Sequence, residues 1–292
     1  MNTLVNTLRQ NARAGLAAAA LLVAASAVSA HDLDIPSYIV GVDQLTTIAT
    51  GPFTGLANPN YNRLTFLFAH SYVDTPGNNH YHSKGVYRYD PASSVSSPVV
   101  EISTSNYVPE GTNPPVNLTP GSGFYSGKLV TNLLPESSPS YAFSFMTIAD
   151  VDSLRGFGAG SPEEIMLNSS SGRWSSTIVG ADVHLELVSL SPGLNVGDAS
   201  GFHLVSGVGD EIHLGDSFSF TPVFWTDSTA AFGTYVAQFK LTDESGTFLD
   251  SGVFEYRFQV DATSAIPEPS SFAALAGLAT LALAATRRRR AV

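Results

Sequence analysis

Apolar and polar residues alternate with a period of two along much of the chain, most clearly near its end. In residues 253–260 the apolar residues Phe254, Tyr256, Phe258 and Val260 alternate with polar ones, and residues 234–241 repeat the pattern. Turn-forming residues separate the two segments at 243–246. Because successive side chains of a strand point to opposite faces, the pattern predicts two half-buried strands joined by a short connection.

Similar short segments, bounded by glycine, proline, aspartate, asparagine and serine, occur throughout the middle of the chain. Helical periodicity is scarce, and no repeat of 20–50 residues is visible. The sequence therefore predicts an all-β fold, with an antiparallel β-sandwich-like body. Further strands are predicted at residues 37–42, 64–72, 81–89, 99–103, 125–134, 182–190, 202–206, 211–214 and 218–225.

Two stretches rich in structure-breaking residues interrupt this pattern. Residues 108–123 contain four prolines and three glycines, and residues 135–139 form a second breaker. Either stretch is compatible with a domain boundary or with a long surface loop, so a subdivision near 108–139 stays open. Neither is charged or long enough to be an obvious linker, which favours one continuous body over residues 31–265.

The first thirty residues have the organisation of a secretory signal peptide. Arg9 and Arg13 precede an apolar stretch at 15–25, and residues 28–30 form a small-x-small cleavage site. The apolar stretch falls short of the roughly 20 residues that span a bilayer, so cleavage is expected rather than permanent anchoring. Signal peptidase would then leave His31 as the first residue of the exported protein.

The last 27 residues have a different order of features. Pro267, Glu268 and Pro269 precede an apolar run at 272–285, which is followed by four arginines at 287–290. Fourteen helical residues span about 21 Å, less than the hydrocarbon layer of about 30 Å. The arginines would hold this end at the cytoplasmic side. These features predict a short apolar helix that anchors the protein transiently in the inner membrane.

A Pro-Glu-Pro motif, a short apolar helix and a terminal arginine cluster resemble the PEP-CTERM sorting signal of Gram-negative bacteria. In that family an exosortase is thought to cut near the motif and to pass the protein to the cell surface or the exopolysaccharide matrix. The resemblance covers residues 266–290 of the sorting signal assigned to residues 266–292, and it implies a destination, with exosortase as a partner. It implies nothing about activity.

The charge of the body excludes one class of partner. Residues 31–265 carry 24 of the 25 acidic residues but only eight of the 14 lysines and arginines, so their formal charge is −16. Such a surface repels phosphate backbones and attracts cations, so no nucleic acid is expected as a partner. The chain has no cysteine, which excludes disulfides, thiolate metal sites and cysteine nucleophiles. No catalytic motif is recognisable, and the protein is expected not to be an enzyme.

Histidines carry the remaining chemical signal. His80 and His82 flank Tyr81 and, on a strand, lie on one face about 7 Å apart, which lets both reach one zinc ion. His70 ends the preceding predicted strand. In a hairpin whose paired positions sum to 152, all three histidines share a face, whereas a sum of 151 separates His70 from the other two.

One feature weighs against this metal site. His70 continues the apolar face of its strand, whereas His80 and His82 continue a more polar face with Lys84. The alternative is a solvated His-Tyr-His segment with one histidine near the edge of the core. The acidic body raises the affinity for cations in general but does not select the ion.

Other candidate metal ligands are weaker. His31 at a new N-terminus would offer its amine and its imidazole, like the histidine brace of copper oxygenases. His184 and Glu186 share the polar face of a predicted strand, and His203 and His213 flank residues 206–210, where they could pair across a hairpin. Two ligands do not make a tight site.

The body also resembles a second family. Residues 58–70, the His80-Tyr81-His82 segment and residues 221–226 are similar to the zinc-starvation-induced PEP-CTERM proteins, which are named for repression by the zinc-responsive regulator Zur. The resemblance implies a role when zinc is scarce, such as extracytoplasmic capture or storage. It supplies no established catalytic residues.

Two functions follow from these observations. The first is an exported protein of the cell surface or matrix that binds zinc, or a related divalent metal, through His70, His80 and His82. The alternative is a structural or carbohydrate-binding component of the exopolysaccharide matrix, suggested by the sorting tail and by the tyrosines at 81, 87 and 89.

Overall fold

Strands make up most of the regular secondary structure of the described residues, which confirms the predicted all-β class. The computed structural model describes residues 31–89, 98–100, 104–201 and 203–264; the predicted signal peptide and the sorting motif lie outside them. The strands are β1 (Tyr38–Val42), β2 (Leu64–His70), β3 (His80–Lys84), β4 (Tyr87–Tyr89), β5 (Pro98–Val100), β6 (Tyr107–Val108), β7 (Val116–Asn117), β8 (Thr119–Pro120), β9 (Lys128–Val130), β10 (Ile148–Asp150), β11 (Val183–Leu190), β12 (Asn195–Gly197), β13 (Glu211–Gly215), β14 (Ser219–Phe220), β15 (Val223–Asp227), β16 (Gly233–Asp243) and β17 (Phe254–Val260).

Helical structure is short in the described part of the chain. The α-helix α1 (Pro162–Leu167) is preceded by the N-cap residue Ser161, whose side chain accepts a hydrogen bond from the Glu164 amide. No helix among the described residues has the length and apolar character needed to cross a membrane. Single 3₁₀ turns lie at Pro76–Asn78, Thr104–Asn106, Gly123–Tyr125, Ala142–Ser144, Val151–Leu154, Ser169–Gly172 and Ala262–Ser264.

Two large sheets form the body. The first has five strands in the order β14-β10-β1-β2-β3, and the second has the order β13-β11-β16-β17-β6, with β7 also paired to β17. A smaller sheet has the order β12-β15-β9-β8, and β4 pairs with β5. Most neighbours are antiparallel, as predicted, but β1 runs parallel to β10, and β6 and β7 run parallel to β17.

Aromatic side chains join the two large sheets. The Phe66 ring of β2 stacks on Phe254 of β17 with centroids 4.1 Å apart, and Tyr38 meets Tyr256 edge-on at 5.4 Å. Such pairs contribute about 0.5–1.5 kcal/mol each beyond their area burial. The packed faces give the body its sandwich-like form and explain why aromatic residues alternate along β17.

One cluster of buried apolar residues runs through the whole body. It includes residues before the 108–139 region, such as Ile39, residues within that region, such as Val116 and Leu129, and residues after it, such as Phe239. The 108–139 region therefore contributes side chains to the same core as the strands on either side of it.

Four predicted strands differ from the structure. Residues 81–89 are not one strand, because β3 ends at Lys84 and β4 belongs to a separate two-stranded sheet. Of residues 125–134, only Lys128–Val130 is a strand, because a 3₁₀ turn occupies Gly123–Tyr125. Residues 218–225 break at Thr221-Pro222, where the chain leaves the five-stranded sheet and enters another; Pro222 has no N–H for a ladder. Residues 203–206 form no strand, and Val205 makes only an isolated bridge to Val196.

Candidate metal centres

Strands β2 and β3 form the hairpin that carries the three predicted histidine ligands. Its register pairs His70 with His80 and Phe68 with His82, so paired positions sum to 150 rather than to either predicted value. The connection includes a 3₁₀ turn, and the Asn79 side chain accepts a hydrogen bond from the Tyr72 amide at 2.8 Å. Because the sum is even, all three histidines lie on one face of the sheet.

The three imidazoles converge. One ring nitrogen from each of His70, His80 and His82 lies within 4.8 Å of the other two, and all three residues are half-buried. Their ring centroids are 4.7–5.6 Å apart. An ion held at about 2.0–2.1 Å in tetrahedral geometry needs nitrogens about 3.4 Å apart, so small side-chain rotations suffice to close around it. We call these residues the three-histidine cluster.

Aromatic side chains pack against the three-histidine cluster. Phe68 lies on the same face, with its ring centroid 5.8 Å from that of His70 and 6.3 Å from that of His82, and the Phe143 ring stacks on Phe68 at 4.4 Å. The apolar face of β2 and the more polar face of β3 are therefore the same face of the sheet. Lys84 belongs to this face as well and is only 2% exposed.

Each histidine of the cluster has its Nδ1 atom turned to a polar group of the protein. The partners are the carbonyl oxygen of Asn78 for His80 (2.7 Å), the carboxylate of Glu110 for His82, and the hydroxyl of Tyr72 for His70 (3.2 Å). Metal-bound histidines characteristically donate their other ring N–H to such groups, which fixes the ring and the tautomer. With Nδ1 occupied in all three rings, Nε2 is the nitrogen left for an ion.

Glu110 is the member of this arrangement that sequence reasoning missed. It follows β6 in the proline-rich region and binds both His82 and the buried Lys84. Burial raises the pKa of Glu110, but the hydrogen bond from His82 and the charge of Lys84 outweigh it and lower that pKa to about 2. The carboxylate therefore stays charged and orients His82. An open cleft of about 570 Å³, whose lining includes His82, Lys84 and Glu110, gives solvent access to this carboxylate.

Burial also sets the protonation of His70. Desolvation, reinforced by the neighbouring imidazoles of His80 and His82, lowers the pKa of His70 to about 4, although the Glu110 charge opposes the change. At neutral pH His70 is uncharged. A neutral imidazole is the form that binds metal ions.

The weaker candidates are dispersed. His31 is 5% exposed, and its ring lies 3.2 Å from the Ala69 carbonyl oxygen and from the Ser71 hydroxyl; it joins none of the possible ligand groups of the described residues. His203 is exposed and meets the Trp225 ring edge-on at 5.3 Å.

Two further candidates turn to partners other than those predicted. His213 does not pair with His203, because β13 pairs with β11 and places His213 opposite His184. Glu186 does not join His184; its carboxylate binds Lys240 at 2.7 Å on the neighbouring strand β16. The structure instead brings His184 and His213 together with Asp182.

The tyrosines behind the carbohydrate-binding alternative are occupied within the protein. Tyr81 is buried, and Tyr87 is covered by the guanidinium of Arg63 at 4.4 Å from its ring centroid. Tyr89 donates a hydrogen bond to the Ala57 carbonyl at 3.0 Å. Each of these three side chains is therefore buried or in contact with another part of the protein.

The chain matches no protein family, no curated protein and no solved structure. Its chemistry is therefore inferred from the geometry of its own residues.

Proposed function

We propose that the protein binds a divalent transition metal, zinc in the first place, at the three-histidine cluster. The observation that carries the proposal is the shared pattern of the three rings: each Nδ1 has a protein partner, and one nitrogen from each ring lies within 4.8 Å of the others. Convergence alone would fit a packed group of polar side chains. Convergence together with a protein partner at Nδ1 of every ring fits ligands prepared for an ion.

The donor set favours zinc over harder ions. Three neutral imidazoles suit zinc, copper or nickel, whereas calcium and magnesium require oxygen ligands. Glu110 is committed to His82 and Lys84, so water is the fourth ligand that we propose. The low pKa of His70 keeps that ligand neutral at physiological pH, so no proton has to be displaced from it on binding.

For the biological role we propose metal capture or storage, without catalysis, outside the cytoplasm. The signal-like N-terminus and the Pro-Glu-Pro tail support export to the surface or matrix of a Gram-negative bacterium. The resemblance to zinc-starvation-induced proteins supports a role when zinc is scarce. The acidic body supports cation attraction at long range.

Metal content and zinc titration test the binding proposal. The purified full chain should retain zinc, and a His80→Ala, His82→Ala double variant should lose the tightest binding event. His203→Ala is the matched control, because it removes an exposed histidine that is distant in sequence and joins no ligand group. Unchanged tight affinity in the double variant, with metal-free unfolding showing that it is folded, would refute the site.

The export proposal has separate tests. Exported protein should begin at His31, which intact-mass measurement checks, and retention of residues 1–30 would contradict the signal peptide. Replacement of Pro267, Glu268 and Pro269 should block release from the inner membrane. Unchanged processing and surface delivery in that variant would contradict the sorting signal.

A further inference from the structure

A second group of metal-binding side chains lies on the six-stranded sheet, apart from the three-histidine cluster. His184 on β11 pairs directly with His213 on the edge strand β13, and their ring centroids are 4.8 Å apart. Asp182, just before β11, places its carboxylate 2.7 Å from His213 Nε2 and 3.5 Å from His184 Nε2. One ligand atom from each of the three lies within 4.8 Å of the others. We call these residues the two-histidine cluster.

The state of His184 is unusual for a histidine in a folded protein. Its side chain is 12% exposed, and both of its ring nitrogens are buried without a hydrogen-bond partner in the part of the chain that the structure describes. Leaving a buried polar atom without a hydrogen bond destabilises the folded protein. A group that the protein holds in this state, among ligand atoms, has unused capacity to bind something else.

Carboxylates lie within ion-pair distance of those two nitrogens, although none makes a hydrogen bond with them. Glu211 Oε2 lies 3.3 Å from His184 Nδ1, and Glu244 Oε2 lies 3.7 Å from His184 Nε2. With Asp182 this places three carboxylates around two histidines. His184, Glu211 and Glu244 also form a second set of ligand atoms within 4.8 Å of one another. The arrangement concentrates negative charge, which a cation would neutralise.

We propose that the two-histidine cluster is a second binding site for a divalent transition-metal ion, with His184, His213 and Asp182 as ligands and Glu211 or Glu244 beside them. Mixed imidazole and carboxylate donors suit zinc, manganese, iron(II) or nickel more broadly than three imidazoles do. The alternative is that the cluster holds no ion and its side chains contact only one another.

The number of zinc ions bound per chain shows whether the two-histidine cluster holds an ion. Zinc titrated into the metal-free full chain against a chromophoric chelator should fill two sites. His213→Gln should leave one site, because it removes a proposed ligand of the two-histidine cluster. His213 is 66% exposed, so its replacement does not open the core. Asp182→Asn should weaken the same site at least tenfold. Glu186→Gln is the matched control, since Glu186 lies on the same strand and binds Lys240 instead.

The possible outcomes separate this proposal from the previous one. Loss of one zinc in His213→Gln and of the other in His80→Ala, His82→Ala supports both sites. A single zinc in the unaltered chain that disappears only with His80 and His82 overturns the second site and leaves the first intact. A single zinc that disappears only in His213→Gln does the reverse.

Discussion

The two clusters use histidine in opposite ways. In the three-histidine cluster every ring has an outer hydrogen-bond partner, and the nearest carboxylate, Glu110, binds His82 from outside the proposed coordination sphere. In the two-histidine cluster the carboxylates stand among the proposed ligands, and His184 has no hydrogen bond at either ring nitrogen within the described residues.

The difference teaches what each site can select. Rings that are already oriented lose little freedom when an ion binds, and three nitrogen donors discriminate against calcium and magnesium. Rings that share their space with carboxylates gain affinity from charge instead, which is less selective. We therefore expect the three-histidine cluster to be the tighter and more selective zinc site.

Removal of one ligand from each cluster should give the largest change in zinc affinity and the sharpest test of the difference between the two clusters. His82→Ala should weaken the tightest zinc affinity by at least about 100-fold, since loss of outer partners alone typically costs about 10–100-fold. His184→Ala should leave that tightest affinity within about threefold. Chelator competition measures both, and equal losses would contradict the ranking of the two sites.

Neutralising Glu110 should give the next largest effect. Glu110→Gln removes the charge that orients His82, and we expect about 10- to 100-fold weaker zinc binding at the tight site. Glu136→Gln, at an exposed position, is the control. The variant also leaves buried Lys84 without its carboxylate, so metal-free unfolding must show that the protein remains folded. Affinity unchanged from the control would remove Glu110 from the site.

Much of the fold follows from sequence where one face of a strand is buried and the other is not. The alternation at residues 234–241 corresponds to β16, which extends beyond the predicted limits at both ends. The alternation at residues 253–260 corresponds to β17, which begins at Phe254. Strand β2 was recognisable from its apolar run, although all but its last residue are buried because both faces of its sheet are covered. Side-chain periodicity cannot show which sheet a strand joins, so β14 and β15 were predicted as one strand.

The sites were predictable only where their ligands lie close in sequence. The period of two identified His80 and His82, and the even register added His70. The register of the β2–β3 hairpin depends on the conformation of the connection at residues 71–79. The pattern of apolar and polar residues does not determine that conformation. Glu110 reaches His82 from 28 residues away, and Asp182 reaches His213 through the order of β13 and β11. Long-range contacts of this kind leave no local signal.

The protonation of His70 should appear in the stability of the metal-free protein. Folded His70 has a pKa of about 4, below the 6.5 of an unfolded histidine, so the unfolded chain binds more protons between those values. The free energy of unfolding should therefore fall as pH drops from 6.5 toward 4. Burial also lowers the pKa of His31, which adds to the same slope.

Urea unfolding with a chelator present, at several pH values, measures this slope. His70→Gln should reduce it, whereas the exposed His203→Gln should not. Glu110 has a folded pKa of about 2 against a usual 4.5, so a second loss of stability should follow as pH falls from 4.5 toward 2. A slope between pH 6.5 and 4 that is unchanged in His70→Gln would contradict the buried, neutral state of that ligand.

The smallest expected effect concerns the outer partner of His70. Tyr72→Phe removes the hydroxyl 3.2 Å from His70 Nδ1 and leaves the ring in place. A neutral hydrogen bond contributes about 0.5–1.5 kcal/mol net, so zinc affinity at the tight site should fall roughly 2- to 12-fold, less than for Glu110→Gln, whose bond is charge-assisted. Tyr89→Phe loses a comparable hydroxyl contact, to Ala57, and should leave zinc affinity unchanged. Equal affinities in the two phenylalanine variants would show that His70 is oriented by its packing against Phe68 rather than by Tyr72.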